Sequence, residues 1–335
     1  MSTRRSFLNL CIALGLSPRA HAEETTSDAA LTGDDIATGD VATGDVATGD
    51  DTATGDATAG ASRDATTGGA LEWKEIALDG DEPWARRALV AYPRDSAAGQ
   101  THAGLLLFHG RGETSSEAAA LQAWRTSYGL ERGDARLRRP PIALSSAERR
   151  YILPEQLDRI HQRLAKRPFA GMCVICPVTP NPHRSRKPEA VLDRYSEWIE
   201  HTLLPAARDA APIDATRGIG VDGCSLGGFV AAEVFVRKPH LFRSFGVVQP
   251  AVGEFRVARY ARHLAQAMKR QGLEGIHLQT STRDPYRGAV RALARHLKRQ
   301  GARFTLDVLP GPHDQAWLRA AGTLAMLAWH DYTLG

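Results

Sequence analysis

The sequence predicts an α/β protein: a mainly parallel sheet of about eight strands, covered by helices on both faces, with a long insertion after the third strand. Three observations carry this. Beyond residue 70, short β-rich runs alternate with longer runs of helical period. The later β-rich runs are apolar on both faces, as strands are in a sheet covered from both sides. One connection alone, of more than sixty residues between Phe108 and Met172, breaks the rhythm.

The predicted strands are Trp73–Leu78, Ala88–Tyr92, Gly104–Phe108, Met172–Cys176, Gly218–Val221, Ser244–Val248, Ile276–Thr280 and Phe304–Leu309. The first two flank a turn around Asp79-Gly-Asp and read as an antiparallel hairpin. Helical patterns cover Tyr195–Ala210, Phe229–Val236, Val257–Gln271, Ala289–Gln300 and Gln315–Tyr332. The long connection holds helical patterns at Ser115–Thr126 and Pro154–Lys166, with an irregular run Arg136–Ala143 between them. It reads either as a segment over the sheet's functional edge that shapes a pocket, or as an insertion packed to one side.

A nucleophile is written into the fifth strand. Gly218-Ile-Gly-Val-Asp222 runs into Gly223-Cys-Ser-Leu-Gly227, followed by Gly228 and a helix. This is G-x-S-x-G between a strand and a helix, the context that makes it a nucleophile elbow. A serine held in a strained turn leaves no room for neighbouring side chains, which explains Gly223 and Gly227. Ser225 then projects at a helix N-terminus, where free N–H groups favour developing negative charge.

A serine hydroxyl needs a base within hydrogen-bonding reach. Folds built on this elbow place the acid and then the histidine after the serine. Of the later histidines, His263, His296 and His330 fall in helical patterns, His277 in a strand and His240 in the turn after the elbow helix. His313, in Leu309-Pro-Gly-Pro-His-Asp314, follows a strand and becomes the expected base. Asp284, in the loop after the seventh strand, is the expected acid that orients it. Asp314 reads as the cap of the last helix, and Asp222 as structural.

These motifs resemble the esterase branch of the α/β-hydrolase superfamily, the enterochelin esterase and feruloyl esterase-like proteins. The resemblance rests on Leu106-Leu-Phe-His-Gly-Arg-Gly112, Leu204-Pro205, Gly223-Cys-Ser-Leu-Gly-Gly228, Lys238-Pro-His-Leu-Phe242, Arg283-Asp-Pro285 and Pro310-Gly-Pro-His-Asp314. It spans about residues 70–335 and implies the α/β-hydrolase fold, with Ser225, Asp284 and His313 as the catalytic triad. It also implies an oxyanion hole made by the N–H of Leu226 and a second N–H from Gly110 or Arg111. The Arg111 side chain either holds a substrate carboxylate or points to solvent, and His109 reads as a structural loop residue. The long 109–171 segment departs from the pattern, so the resemblance does not name the ester.

The chain ahead of residue 70 has another character. Arg4-Arg5 before Ser6-Phe-Leu8, a short apolar run and Ala20-His-Ala22 resemble a twin-arginine export signal over residues 1–22. The apolar run is too short to span a bilayer. Ala-Thr-Gly-Asp recurs at 37–40, 42–45, 47–50 and 53–56. Residues 23–69 therefore read as an acidic, disordered linker, too poor in apolar surface to fold. The net charge of +4 divides into +3 over 1–22, −10 over 23–69 and +11 beyond. The basic residues of the body are scattered over helical patterns without aromatic partners, so a solvated surface is expected rather than a nucleic-acid interface. Cys173 and Cys176, three apart on a strand, point to opposite faces and read as core thiols.

The expected activity is hydrolysis of a carboxylic ester outside the cytoplasm, in the periplasm or beyond the cell. The substrate would be a small molecule or a carbohydrate- or siderophore-type ester. No cofactor, metal, nucleic-acid partner or stable membrane insertion after signal removal is expected. Acyl transfer or peptide cleavage by the same triad, or binding without catalysis, are the alternatives.

Overall fold

A computed structural model describes residues 70–335. The signal-peptide and linker readings of residues 1–69 lie outside the described residues.

All eight expected strands form. They are β1 (Leu71–Ala77), β2 (Arg87–Pro93), β3 (Gly104–Phe108), β4 (Cys173–Pro177), β5 (Ile219–Gly223), β6 (Phe242–Val248), β7 (Gly275–Arg283) and β8 (Thr305–Pro312). They make one sheet in the order β1-β2-β4-β3-β5-β6-β7-β8. β1 and β2 pair antiparallel, as do β2 and β4, so β2 alone runs against the rest. β3, β4 and β5 are buried at every residue, which is why their sequences show no alternation. Cys173 and Cys176 are free and buried, and burial pushes the Cys173 thiol up to about 12.

Helix bounds differ from the periodic reading where local chemistry intervenes. The helix expected from Tyr195 begins at Pro188, whose fixed φ suits a first helical position. It passes through a π turn at Ile199–Leu203 before Leu204–Ala210. Pro205, lacking an N–H, follows that turn at once, and the wider turn accommodates the missing bond. The pattern over Ser115–Thr126 is interrupted by Ser116, which caps a shorter helix, Glu117–Gln122, by accepting from Ala119 N at 3.1 Å. A π turn, Ala123–Ser127, follows. The run Arg136–Ala143 contains the end of a further helix, Leu130–Leu137, and is irregular only beyond it.

Part of the basic excess is turned onto a buried carboxylate. Glu233, fully buried on the helix Leu226–Arg237, accepts from Arg237 at 2.6 Å, Arg256 at 2.7 Å and Arg259 at 3.2 Å. Such a carboxylate is tolerated because every oxygen is paired.

A second buried network lies beneath the end of β5. Asp222 accepts from Gly223 N at 2.6 Å and pairs with His330 Nε2 at 3.0 Å, and His330 Nδ1 meets Ser244 Oγ at 2.8 Å. Burial pushes the Asp222 carboxyl up to about 7 and His330 well down, so the pair sits in the core without a full charge on each partner. Asp222→Ala strands His330 and the Gly223 N–H. The expected loss, read by urea unfolding, is about 3 kcal/mol. An unchanged midpoint would show that the network contributes nothing. Among the described residues no helix is long and apolar enough to cross a membrane.

Candidate active site

The site lies where β3, β5, β7 and β8 end together. At the end of β5, Ser225 adopts φ 54° and ψ −117°, a conformation that L residues rarely hold. The surroundings enforce it. Ser225 N donates to Val248 O at 3.1 Å, and Ser225 O accepts from Ala251 N at 2.8 Å. The glycines are required by contact. A Cβ on Gly227 would overlap the Phe108 carbonyl, and one on Gly228 would lie 2.8 Å from Pro250.

His313 follows β8 directly. Its Nε2 lies 3.0 Å from Ser225 Oγ and its Nδ1 lies 2.9 Å from Asp284 Oδ1. Asp284 is 5% exposed, whereas the His313 side chain keeps 23% of its surface in solvent. Asp284 is fixed by two further donors, Tyr286 N at 3.0 Å and Thr280 Oγ1 at 2.5 Å. The Tyr286 ring stands edge-on to His313 at 5.7 Å. Gln249 at the end of β6 holds the histidine loop, donating through Nε2 to Pro312 O at 2.9 Å and to Ser281 Oγ at 2.7 Å. Asp314 accepts from Trp317 N at 2.8 Å and caps the turn behind His313.

The two N–H groups left open in the β3 loop are not equivalent. Gly110 N donates to Tyr128 Oη at 3.0 Å and is therefore occupied. This corrects the reading that allowed Gly110 as a donor, because its hydrogen points away into a buried contact. Arg111 N has no hydrogen-bond partner among the described residues, and neither has Leu226 N, the first N–H of the elbow helix. The peptide between Gly110 and Arg111 is itself held. Thr179 N donates to His109 Nε2 at 2.8 Å, which places the ring hydrogen on Nδ1, and Nδ1 donates to Gly110 O at 2.9 Å. Burial lowers His109 to about 4, so the ring is neutral at ordinary pH. In a trans peptide the Arg111 N–H points opposite to that gripped carbonyl. The Arg111 side chain is exposed and forms no ion pair among the described residues.

Sequence reasoning missed Tyr128, Glu113 and Gln315, which surround the β3 loop. It also treated His109 only as a loop residue. The His-Gly pair was visible, but the partner that fixes its tautomer, Thr179, lies 70 residues away. The long 109–171 segment packs to one side of the sheet and also reaches the back of the β3 loop. Its helix Leu130–Leu137 packs on the C-terminal helix Thr323–Leu334, while Glu113 and Tyr128 reach the rear of the site.

Among the described residues, Glu197, Glu200 and His201 have ligand atoms close enough to share a metal ion. They are remote from Ser225 in role, since Glu200 is already paired with Lys238 at 2.6 Å and His240 at 2.8 Å.

No family model matches the sequence, and comparison with curated proteins gives no match. Solved structures do match. S-formylglutathione hydrolase (FrmB) from Staphylococcus aureus superposes with a TM-score of 0.53 at 12% identity, over 79% of this chain and 98% of its own. A ferulic acid esterase gives 0.52 at 13% identity, over 80% and 99%. A mutant feruloyl esterase module from Clostridium thermocellum, complexed with sinapinate, gives 0.51 at 12%, over 78% and 87%. The sheet order, the elbow and these neighbours together show that the chain has the α/β-hydrolase fold.

Proposed function

We propose that this chain is a serine esterase that cleaves a carboxylic ester through an acyl-enzyme. The observation that carries the reading is the unbroken line from Ser225 Oγ through His313 to Asp284, at 3.0 and 2.9 Å. Ser225 Oγ attacks the ester carbonyl carbon and its proton passes to His313 Nε2. Asp284 remains ionised, holds the Nδ1 hydrogen and stabilises the imidazolium. The carbonyl oxygen gains charge and is met by the N–H groups of Leu226 and Arg111. Collapse expels the alcohol, which takes the proton from Nε2. Water, deprotonated by the same nitrogen, then attacks the acyl-enzyme and frees Ser225.

The substrate class proposed is a small-molecule ester, of the kind that carbohydrate- or siderophore-linked acids form. Export through the twin-arginine-type leader is part of the same proposal and places the reaction outside the cytoplasm. Purified residues 23–335 should hydrolyse p-nitrophenyl acetate, butyrate and decanoate, with the chain-length profile sizing the acyl pocket. A fluorophosphonate should label Ser225 stoichiometrically and stop turnover. Background-level hydrolysis with no labelling would remove the esterase reading and leave ligand binding. Labelling without hydrolysis would point to acyl transfer or peptide cleavage.

A further inference from the structure

Two buried polar side chains from the 109–171 segment lie directly behind the β3 loop. Tyr128 is 2% exposed and Glu113 is 7% exposed. The Tyr128 ring packs edge-on against Trp124 at 5.0 Å, and Thr323 Oγ1 donates to its backbone carbonyl at 2.7 Å. Its oxygen accepts the Gly110 N–H at 3.0 Å and donates to Glu113 Oε2. The other carboxylate oxygen, Oε1, accepts from Gln315 Nε2 at 2.7 Å. Gln315 stands two residues beyond His313, at the head of the turn that Asp314 caps.

A continuous line of hydrogen bonds thus runs from the β3 loop to the histidine loop. The site needs it for a backbone reason. Gly110, with φ −75° and ψ 178°, carries no side chain to restrict its torsions, and those torsions aim the Arg111 N–H. His109 holds one peptide of this glycine through its carbonyl, and Tyr128 holds the other through its N–H. An oxyanion donor has to be placed to within about 0.5 Å to be effective. Tyr128 cannot itself be the donor, because its single proton is directed to Glu113.

We propose that Tyr128 and Glu113 are positioning residues of the reaction, which fix the Gly110 peptide so that the Arg111 N–H meets the developing oxyanion, with Gln315 tying the same carboxylate to the loop of His313. The assignment rests on the esterase reading above. Burial raises the Tyr128 hydroxyl far above its ordinary range, so it keeps its proton at every working pH.

The test compares wild type with Tyr128→Phe, Glu113→Gln, Glu113→Ala and Gln315→Ala, with rates expressed per serine titrated by fluorophosphonate. Tyr128→Phe keeps the ring and loses the acceptor of Gly110 N. It should lower kcat for p-nitrophenyl butyrate about 10- to 100-fold, a fraction of what loss of a whole donor costs, with KM within about three-fold. Phenylboronic acid, which forms a tetrahedral adduct on the serine, should bind more weakly by a similar factor. Glu113→Ala should behave like Tyr128→Phe. Glu113→Gln, which can still accept from Tyr128 and donate to a rotated Gln315 amide, should restore most of the rate. Gln315→Ala, at an exposed position, should give a smaller loss in the same direction without altering folding. A purely structural role would lower the titratable fraction or the melting temperature and leave kcat per titrated serine within two-fold of wild type. That result overturns the inference while the esterase stands. A wild type that neither turns over nor titrates overturns the esterase reading and this one with it.

Discussion

Ser225→Ala is expected to lower kcat by about 10⁴- to 10⁶-fold, with KM little changed. The hydroxyl is the only atom removed. The helix N-terminus, the strained turn and the His313–Asp284 pair remain, so folding is expected to be retained, as a melting curve would show. His313→Ala should fall as far, and the double variant no further, because the two groups act in one proton transfer and their effects do not add. Asp284→Asn should cost about 10⁴-fold, since an amide facing Nδ1 selects the wrong imidazole tautomer. The measurement is steady-state hydrolysis of p-nitrophenyl butyrate, with initial-burst kinetics to separate acylation from deacylation. A loss of less than ten-fold for Ser225→Ala would remove Ser225 as nucleophile.

Arg111 supplies the second large effect, and its sign depends on the backbone rather than the side chain. Arg111 opens the short 3-10 turn Arg111–Ser115, and Gly110 before it is extended with ψ 178°. Proline is accepted at a first helical position, and an extended residue is what proline prefers ahead of it. Arg111→Pro should therefore fold and delete one N–H. The expected fall in kcat is about 10²- to 10³-fold, the usual consequence of losing one oxyanion donor. Arg111→Ala retains the N–H and should stay within about three-fold of wild type on neutral esters. If alanine is as harmful as proline, the guanidinium is the working group. If proline is harmless, the second donor lies elsewhere.

The strands, the elbow and the two loops bearing Asp284 and His313 were legible in the sequence because each is specified locally. Gly223 and Gly227 are demanded by the carbonyls against which they pack, and the proline- and glycine-rich run Pro310-Gly-Pro-His-Asp314 marks where the last strand ends. Helix bounds were less legible at Pro188, Ser116 and Pro205, where a cap or a missing N–H outweighs apolar period. Sequence also described the Arg-rich surface incompletely, since the burial of Glu233 among three arginines depends on how the elbow helix and the helix Glu254–Arg270 meet.

By itself, then, the sequence determined the α/β architecture, the G-x-S-x-G turn between strand and helix, and the order in which Asp284 and His313 follow Ser225. All of these follow from torsional demands and apolar patterns contained within a few consecutive residues. Only the tertiary structure showed Gly110 N taken up by Tyr128 and Arg111 N without a partner among the described residues, and only it brought Tyr128, Glu113 and Gln315 behind the loop. Glu113 and Gln315 are 202 residues apart, as are His109 and Thr179 by 70, and no local pattern connects them. Buried polar groups must find partners wherever the packed chain supplies them, so their identities are set by the fold as a whole rather than by neighbours in sequence.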